Sequence, residues 1–238
     1  MKTDYLRTVE PFDTLPVEEL ERVGREATQV GVRRGQTFFE EGQGDDWVFV
    51  LATGRVRIQH LRPDGSARTV CLVGPGETYC CLPALDGGPY PATAVAAVDS
   101  TALRLPGPTF RDLLARHPEF SARALRHFCG RLREAGCEGC THGDDAGSRV
   151  AAKVLFAAER FPDWLPLTRQ EVADLAGTTV ETAIRTLKEF ERMGWVELGW
   201  GKMRIVNRAA LERRASGARP VPSARLRVLK RVKKSSSG

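Results

Sequence analysis

The sequence lacks the features that mark membrane proteins and most enzymes. It has no apolar run of about 18 residues and no secretory signal, and its start, Met1–Asp4, is polar. It also has no phosphate-binding glycine loop, no Ser-His-Asp arrangement with a recognisable elbow and no paired-carboxylate signal. A thiol oxidoreductase built on Cys137-x-x-Cys140 is the remaining enzymatic hypothesis, and the βαβ context that it needs is missing. We therefore expect a cytoplasmic protein that is not an enzyme.

Acidic residues are scarce at the C-terminal end of the chain. The 238 residues have a net charge of +6, but from Arg208 onward ten Lys and Arg face a single acid, Glu212, so the preceding residues have a net charge of about −3. Residues 216–238 are rich in Pro, Ser, Arg and Lys and have no long apolar face, which predicts a disordered basic tail. Such a tail either holds DNA without reading its sequence or only adds solubility.

Short strand-like runs alternate with Gly and Pro from Val30 to about Leu105. The runs are Gly35–Phe39, Trp47–Leu51, Gly54–Ile58, Thr69–Val73 and Ala92–Ala96. Many short strands at this spacing predict a small β-barrel or β-roll. An amphipathic helix over Leu15–Arg25 precedes them, with Pro16 at its start.

Two helices are predicted after the roll, and the second is long. Pro108–His117 forms the short one and Glu119–Ala135 the long one. The long helix has apolar residues at 3,4,3 spacing, namely Leu125, Phe128, Leu132 and Ala135. This narrow stripe is typical of a coiled-coil seam and predicts dimerisation, although packing of the helix on its own barrel is the alternative. Gly136 and Gly139 weaken the helix end, and residues 144–148 indicate a hinge before a helix that starts at Arg149.

The stretch from Leu167 to Lys188 has the pattern of two short helices joined at Gly177. Val172, Ala173 and Leu175 face one way on the first helix. On the second helix the apolar residues at helical spacing are Val180, Ala183, Ile184 and Leu187. Thr178 or Thr179 can cap the second helix. Its other face offers Glu181, Thr182, Arg185 and Lys188. Among these groups, a carboxylate accepts from cytosine N4 and a guanidinium donates to guanine O6 and N7 in a major groove. An ordinary helical hairpin with a solvated charged face is the alternative.

A β-hairpin is predicted directly after these helices. It covers Met193–Val206, with its turn near Gly199–Lys202. Two helices and a hairpin make a winged helix-turn-helix, and the wing places Lys202 and Arg204 near phosphates.

At this point the chain resembles the CRP/FNR family, over roughly residues 10–207. The resemblance rests on Gly35…Phe39-x-Glu41-Gly42, Gly54-x-Val56-x-Ile58, Gly74-x-Gly76-Glu77 and Thr168-Arg-Gln-Glu171…Gly177…Glu181-Thr182…Arg185. It implies a homodimeric transcription regulator with double-stranded DNA and RNA polymerase as partners. The expected fold class is α+β: a cyclic-nucleotide-binding-like β-roll, a long dimerisation helix and a C-terminal winged helix-turn-helix.

The expected domain limits follow from the pattern and the resemblance together. They are a sensor roll at 1–117, a dimerisation helix at 118–143, a hinge at 144–148, a DNA-binding domain at 149–215 and the basic tail at 216–238.

The chain departs from the family in the effector pocket. Cyclic-nucleotide-binding members have a Gly-Glu pair and then an Arg-Ser or Arg-Thr that holds the cyclic phosphate. Here those positions correspond to Cys80-Cys81 and Pro91-Ala92. A phosphate without its Arg loses a charge-assisted bidentate contact, so we do not expect a cyclic nucleotide as the ligand.

The recognition helix also departs from the cyclic AMP receptor type, which has Arg immediately before Glu. Val180 stands there, and Val180-Glu-Thr182 is similar to the FNR-type helix. That likeness implies palindromic, TTGAT-like half-sites read by Glu181 and Arg185. The predicted DNA-binding residues are Thr168, Arg169, Gln170, Thr179, Val180, Glu181, Thr182, Arg185, Lys188 and Lys202.

Five of the six cysteines are candidate sensor residues. The sixth, Cys71, lies in a strand-like run and is expected to be a small core residue. Cys80 and Cys81 lie in the family's effector pocket, and Cys129, Cys137 and Cys140 lie on or just after the dimer helix that lines it. The candidate roles are a thiol switch, a zinc site, an iron–sulfur cluster, or none beyond packing.

Helix geometry limits the metal hypotheses. On a straight helix Cys129 and Cys137 lie about 12 Å apart, so they share one zinc only if the helix breaks at Gly136. Haem or a small organic ligand in the roll is a further alternative, with His60, His117, His127 and His142 as available ligands. A constitutive DNA-binding protein without an effector is the competing class.

Overall fold

The computed structural model describes residues 2–62, 66–140, 145–161 and 163–216, with side chains over the same ranges except 131–140. The chain forms two compact units, residues 1–140 and 141–238. The predicted tail, residues 216–238, lies outside the described residues except for Ser216. No helix among the described residues is long and apolar enough to cross a membrane.

The first unit is an antiparallel β-roll flanked by helices. Its helices are α1 Lys2–Leu6, a 3-10 helix Phe12–Thr14, α2 Val17–Glu26, α3 Leu82–Asp86, α4 Gly107–Arg116 and α5 Pro118–Cys140. Its strands are β1 Thr28–Val32, β2 Thr37–Phe39, β3 Trp47–Thr53, β4 Val56–Leu61, β5 Ala67–Val73, β6 Thr78–Tyr79, β7 Thr93–Ala96 and β8 Ser100–Pro106. They form two four-stranded sheets, in the orders β1-β8-β3-β6 and β2-β7-β4-β5. The predicted roll is thereby confirmed.

The strand β3 carries the core of this unit on both of its faces. Successive side chains of a strand point to opposite sides. Val48 and Val50 accordingly pack in the cluster that contains α2, α4 and the start of α5, while Phe49 and Leu51 pack in the interior between the two sheets. We call these two sets the helical cluster and the roll interior.

The long helix α5 differs from its prediction in two respects. Its backbone is helical from Pro118 through Gly136 and Gly139 to Cys140, five residues beyond the predicted end at Ala135. Phe128 packs against the helical cluster of its own unit, whereas Leu125 is 62 % exposed. Half-buried Phe128 thus makes the contact that the alternative, packing on the protein's own barrel, predicts, while Leu125 is an exposed apolar residue and the dimer seam stays a prediction.

The second unit contains the helices α6 Ala146–Arg160, α7 Arg169–Leu175, α8 Val180–Arg192 and α9 Arg208–Ala215 and the hairpin β9 Val196–Gly199 and β10 Lys202–Ile205. Asp145 caps α6 by accepting a hydrogen bond from the Ser148 backbone N–H. Residues 146–148 are thus helical, which shortens the predicted hinge at its C-terminal end.

A buried arginine joins the first and last helices of the second unit. The Arg214 side chain, 8 % exposed, donates to Ser148 Oγ at 2.6 Å and pairs with Asp145. Burial opposes ionisation of Asp145, but the hydrogen bond from Ser148 and the Arg214 guanidinium together hold the pKa of that carboxyl below its usual range. The last turn of α9 is therefore fixed to the first turn of α6.

Candidate DNA interface and sensor residues

The turn between α7 and α8 is built by local capping. Thr168 accepts a hydrogen bond from the Glu171 backbone N–H, and the Glu171 carboxylate accepts one from the Thr168 backbone at 2.8 Å, which completes a capping box. Gly177 has φ of +57°, a conformation in which a side chain is strained. Thr179 caps α8, so the predicted cap is confirmed there rather than at Thr178.

Charged residues of α8 lie on one exposed side of the helix. Glu181, Arg185 and Lys188 are exposed at helical spacing, while Val180 and Thr182 are half-buried. The opposite side packs inward through Ala183, Thr186, Leu187 and Phe190. Ile184 was predicted to belong to that inner side but is only half-buried, at the edge of the buried face that includes Thr186 and Phe190. The structure thus leaves a carboxylate and two cations free to meet a partner.

The predicted contact residues at the start of α7 lie near the surface. Thr168 and Gln170 are exposed and Arg169 is half-buried. The Gln170 side chain donates to Asp174 Oδ1 at 2.9 Å, one turn along the same helix. Arg149, which the sequence did not single out, donates from Nε to the Ala176 carbonyl at 2.9 Å and so supports the turn from below.

The β9–β10 hairpin is attached beside the start of α7. Leu165 and Met203 exchange backbone hydrogen bonds at 2.7 and 2.9 Å, and Met203 is fully buried. Trp164 lies against the hairpin, with the Lys202 ammonium 4.5 Å and the Arg204 guanidinium 5.3 Å from its ring centroid. The indole therefore orients the predicted phosphate contact Lys202. Sequence reasoning missed Trp164, since a single Trp between two helices gives no periodic signal.

The two adjacent cysteines of the roll pack in different places. Cys80 is the only non-glycine residue with positive φ, +58°, within the described ranges, and it packs against the roll interior. Cys81 is 4 % exposed at the start of α3 and belongs to the helical cluster. The two adjacent thiols therefore have different surroundings, and their predicted role as sensor residues stays a prediction.

The segment after α3 fills the roll with an aromatic ring. Tyr90 stacks on Phe39 with ring centroids 4.0 Å apart, and its hydroxyl donates to the Trp47 carbonyl at 3.0 Å. Burial raises the pKa of Tyr90 well above its ordinary value. Pro91 and Ala92 follow directly and have no side-chain donor. The positions that hold a cyclic phosphate in the family motif therefore offer it no charged or hydroxyl side chain.

An open cleft of about 550 Å³ lies beside α3, and its charged lining residues are Asp45, Asp46 and Arg111. Arg111 pairs with Asp46 at 2.9 Å and also donates to the Ala84 carbonyl at 2.9 Å. The cleft thus has an excess of negative charge and does not suit an anionic ligand.

The remaining candidate sensor residues lie on α5. Cys129 is exposed, and the side chains of Cys137 and Cys140 lie outside the described residues. Since the helix does not break at Gly136, Cys129 and Cys137 are about 12 Å apart along one helix, too far to share one zinc. Within the part of the chain whose side chains are described, no three His, Cys, Asp or Glu residues are grouped to hold a metal. The described cysteines of one protomer therefore do not fit a zinc site or a cluster.

A β-roll, a long helix and a capped helix-turn-helix with a wing define a class of DNA-binding regulators with an N-terminal ligand-binding type of domain. Comparison with known families agrees: residues 29–117 match the cyclic nucleotide-binding domain and residues 148–214 the Crp-like helix-turn-helix domain.

Two curated relatives extend the match over most of the chain. The CRP-like cAMP-activated global transcriptional regulator of Mycobacterium tuberculosis is 30% identical over 76% of this chain and 85% of its own length. The cyclic AMP receptor protein of Thermus thermophilus is 32% identical over 77% and 86%, respectively. The solved structure of FixK2 from Bradyrhizobium japonicum shares the fold, with a TM-score of 0.69 and 22% identity over 82% of this chain and 98% of that one.

The chain belongs to the CRP/FNR family of transcription regulators. It is a DNA-binding regulator and not an enzyme. Regulators of this family bind DNA, and they typically dimerise and contact RNA polymerase.

Proposed function

We propose that this regulator acts as a homodimer that reads a palindrome of TTGAT-like half-sites through α8. The observation that carries the proposal is the exposed face of α8, where Glu181, Arg185 and Lys188 stand at successive turns. A carboxylate accepts from cytosine N4, and a guanidinium donates to guanine O6 and N7. Thr179 fixes the start of this helix, so these side chains enter a groove from a defined end.

The dimer contact is proposed to run along α5. Leu125 is 62 % exposed on a helix of 23 residues, and an apolar side chain of this size gains free energy when a second copy covers it. A two-fold dimer presents two recognition helices to half-sites about 34 Å apart, which matches a palindrome.

Fluorescence anisotropy with a TTGAT-N4-ATCAA duplex tests this function. We expect the protein to bind this duplex about a hundredfold more tightly than a scrambled duplex of the same length and composition. Binding that depends on salt but not on sequence would instead support the alternative, a constitutive DNA-binding protein that acts through general phosphate contacts.

A second proposal concerns the signal. We infer that the cysteines at the roll and α5 sense a redox or metal state, because Cys80 is held in a strained backbone beside the roll interior and Cys129 is exposed on α5. In a thiol switch, two thiols lose two protons and two electrons to a peroxide, which is reduced to water. The backbone of α5 places the Cys137-x-x-Cys140 pair within one helical turn, which favours that pair as the switch. A larger iron–sulfur cluster, or ligands drawn from both protomers, would relax the distance limit that α5 sets on a metal site.

We expect DNA affinity to change at least tenfold between protein kept reduced without oxygen, protein oxidised with peroxide and protein treated with a chelator. Added cyclic AMP should leave the affinity unchanged, since positions 91 and 92 lack the phosphate contact. An absorption spectrum with iron, zinc and sulfide analysis of the protein purified without oxygen separates a metal site from a thiol switch. Equal affinity in all three states would refute the sensor while leaving DNA binding intact. A response to cyclic AMP alone would identify the roll as a nucleotide site.

A further inference from the structure

The tip of the β9–β10 hairpin carries a large apolar side chain in water. Trp200 is 96 % exposed, whereas Trp195 is 8 % exposed and packs on Phe190 with ring centroids 5.2 Å apart. Trp47 and Trp164 are half-buried within their own units. An indole has the largest apolar surface of any side chain, and leaving it uncovered forgoes the free energy of burial. We therefore expect a binding partner to cover the Trp200 side chain.

The hairpin holds Trp200 in a defined place. The turn between the strands consists of Trp200 and Gly201, and Gly201 has φ of +64°. On the strand β10, Met203 is fully buried, and its backbone is hydrogen-bonded to that of Leu165, three residues before Thr168, the cap of α7. On the other strand the Leu198 N–H donates to the Glu191 carboxylate of α8 at 3.2 Å. The hairpin that carries the indole is thus linked to α8 and to the segment that leads into α7.

The charges around the tip identify the chemistry of the partner. Lys202, next to the turn, is exposed and lies against the ring of Trp164. Arg204 is compensated by Glu197, with Arg204 Nε 2.6 Å from Glu197 Oε2. A partner that covers the indole meets the Lys202 ammonium beside it, and a polyanion with apolar faces suits both groups. Duplex DNA has this combination, since its deoxyribose rings lie between the phosphates.

We propose that Trp200 packs against deoxyribose in the minor groove of the DNA that flanks each half-site. This inference rests on the proposed function, because it takes α8 to be the helix in the major groove. Apolar side chains are a common device of minor-groove contacts, and the indole N–H is a donor for the acceptors on the groove floor. The contact adds affinity that depends on the presence of flanking DNA and only weakly on its sequence.

The experiment compares Trp200→Ala with the wild-type protein on two duplexes. Both contain the same palindrome; one ends at the outer bases of the half-sites, and the other extends about ten base pairs beyond each of them. We expect the variant to bind the long duplex on the order of tenfold more weakly and the short duplex with less than a twofold change. Trp200→Phe should retain most of the affinity, because it keeps an aromatic face.

Val206→Ala is the matched control, since Val206 is a 59 % exposed apolar residue just after β10 and should leave both affinities unchanged. Equal binding of Trp200→Ala and wild type to the long duplex, or equal losses on both duplexes, would overturn the inference. A wild-type protein that fails to prefer the palindrome over a scrambled duplex would instead refute the proposed function. Thermal unfolding of the variants should match wild type, because neither side chain is buried.

Discussion

Replacement of Arg185 with alanine is expected to weaken binding to the TTGAT palindrome about 10- to 100-fold and binding to random DNA by less than threefold. Arg185 is exposed one turn after Glu181 on the outer side of α8. A bidentate contact from arginine to guanine contributes about 1–3 kcal/mol of discrimination, and no other side chain reproduces its planar pair of donors. The loss therefore falls on the specific complex.

Lys188→Ala is the control for a charge effect on the same helix. Lys188 lies about one further turn from the start of α8, and we expect its loss to weaken both duplexes equally and to lower the dependence of affinity on salt. Anisotropy at several salt concentrations measures both quantities. If Arg185→Ala lost the same factor on the palindrome and on random DNA, Arg185 would be a phosphate contact only.

Gly54→Ala is expected to lower the free energy of unfolding of the β-roll by about 2–5 kcal/mol, from backbone strain and steric overlap together. Gly54 has φ of +93°, and a Cβ at this position would lie 2.2 Å from Ser100 Oγ and 2.7 Å from the Asp99 carbonyl oxygen. Ser100 cannot withdraw easily, because it is 4 % exposed and its hydroxyl accepts from the Arg55 backbone N–H. Urea unfolding followed by circular dichroism measures the change.

Two other glycines separate the two causes. Gly76 has φ of +83° and its Cβ would meet nothing within 4 Å, so Gly76→Ala reports the backbone strain alone, about 1–2 kcal/mol. Gly31 has neither feature and should tolerate alanine with little change. If the urea midpoint of unfolding were the same for Gly54→Ala as for Gly76→Ala, the close approach to Ser100 would add nothing to the loss of stability.

The parts of the fold that the sequence predicts are those with strong local signals. The capping residue Thr179 and the turn at Gly177 act within a few residues of their own position, so they can be predicted without any tertiary contact. The strand β3 follows from a run of apolar and aromatic residues. By contrast, β1 was missed, because its alternation of exposed and half-buried residues leaves only a weak apolar pattern.

The sequence predicts the presence of an element better than the surface against which each of its faces packs. Phe128 lies in an apolar stripe of α5, but spacing alone cannot tell whether that stripe covers a second helix or the protein's own core. Likewise, Cys80 and Cys81 are neighbours in sequence but pack in different clusters, which their adjacency does not predict. The contact between Arg214 and Ser148 joins residues 66 positions apart, a distance at which sequence patterns give no information.

The contact of Arg214 with Asp145 and Ser148 has a mechanical consequence. It joins the last turn of α9 to the residues at which α6 begins, so the first and last helices of the DNA-binding unit are connected at their ends. Because α9 also packs along α6, a displacement of the last turn of α9 is passed directly to the first turn of α6, where the described part of this unit begins.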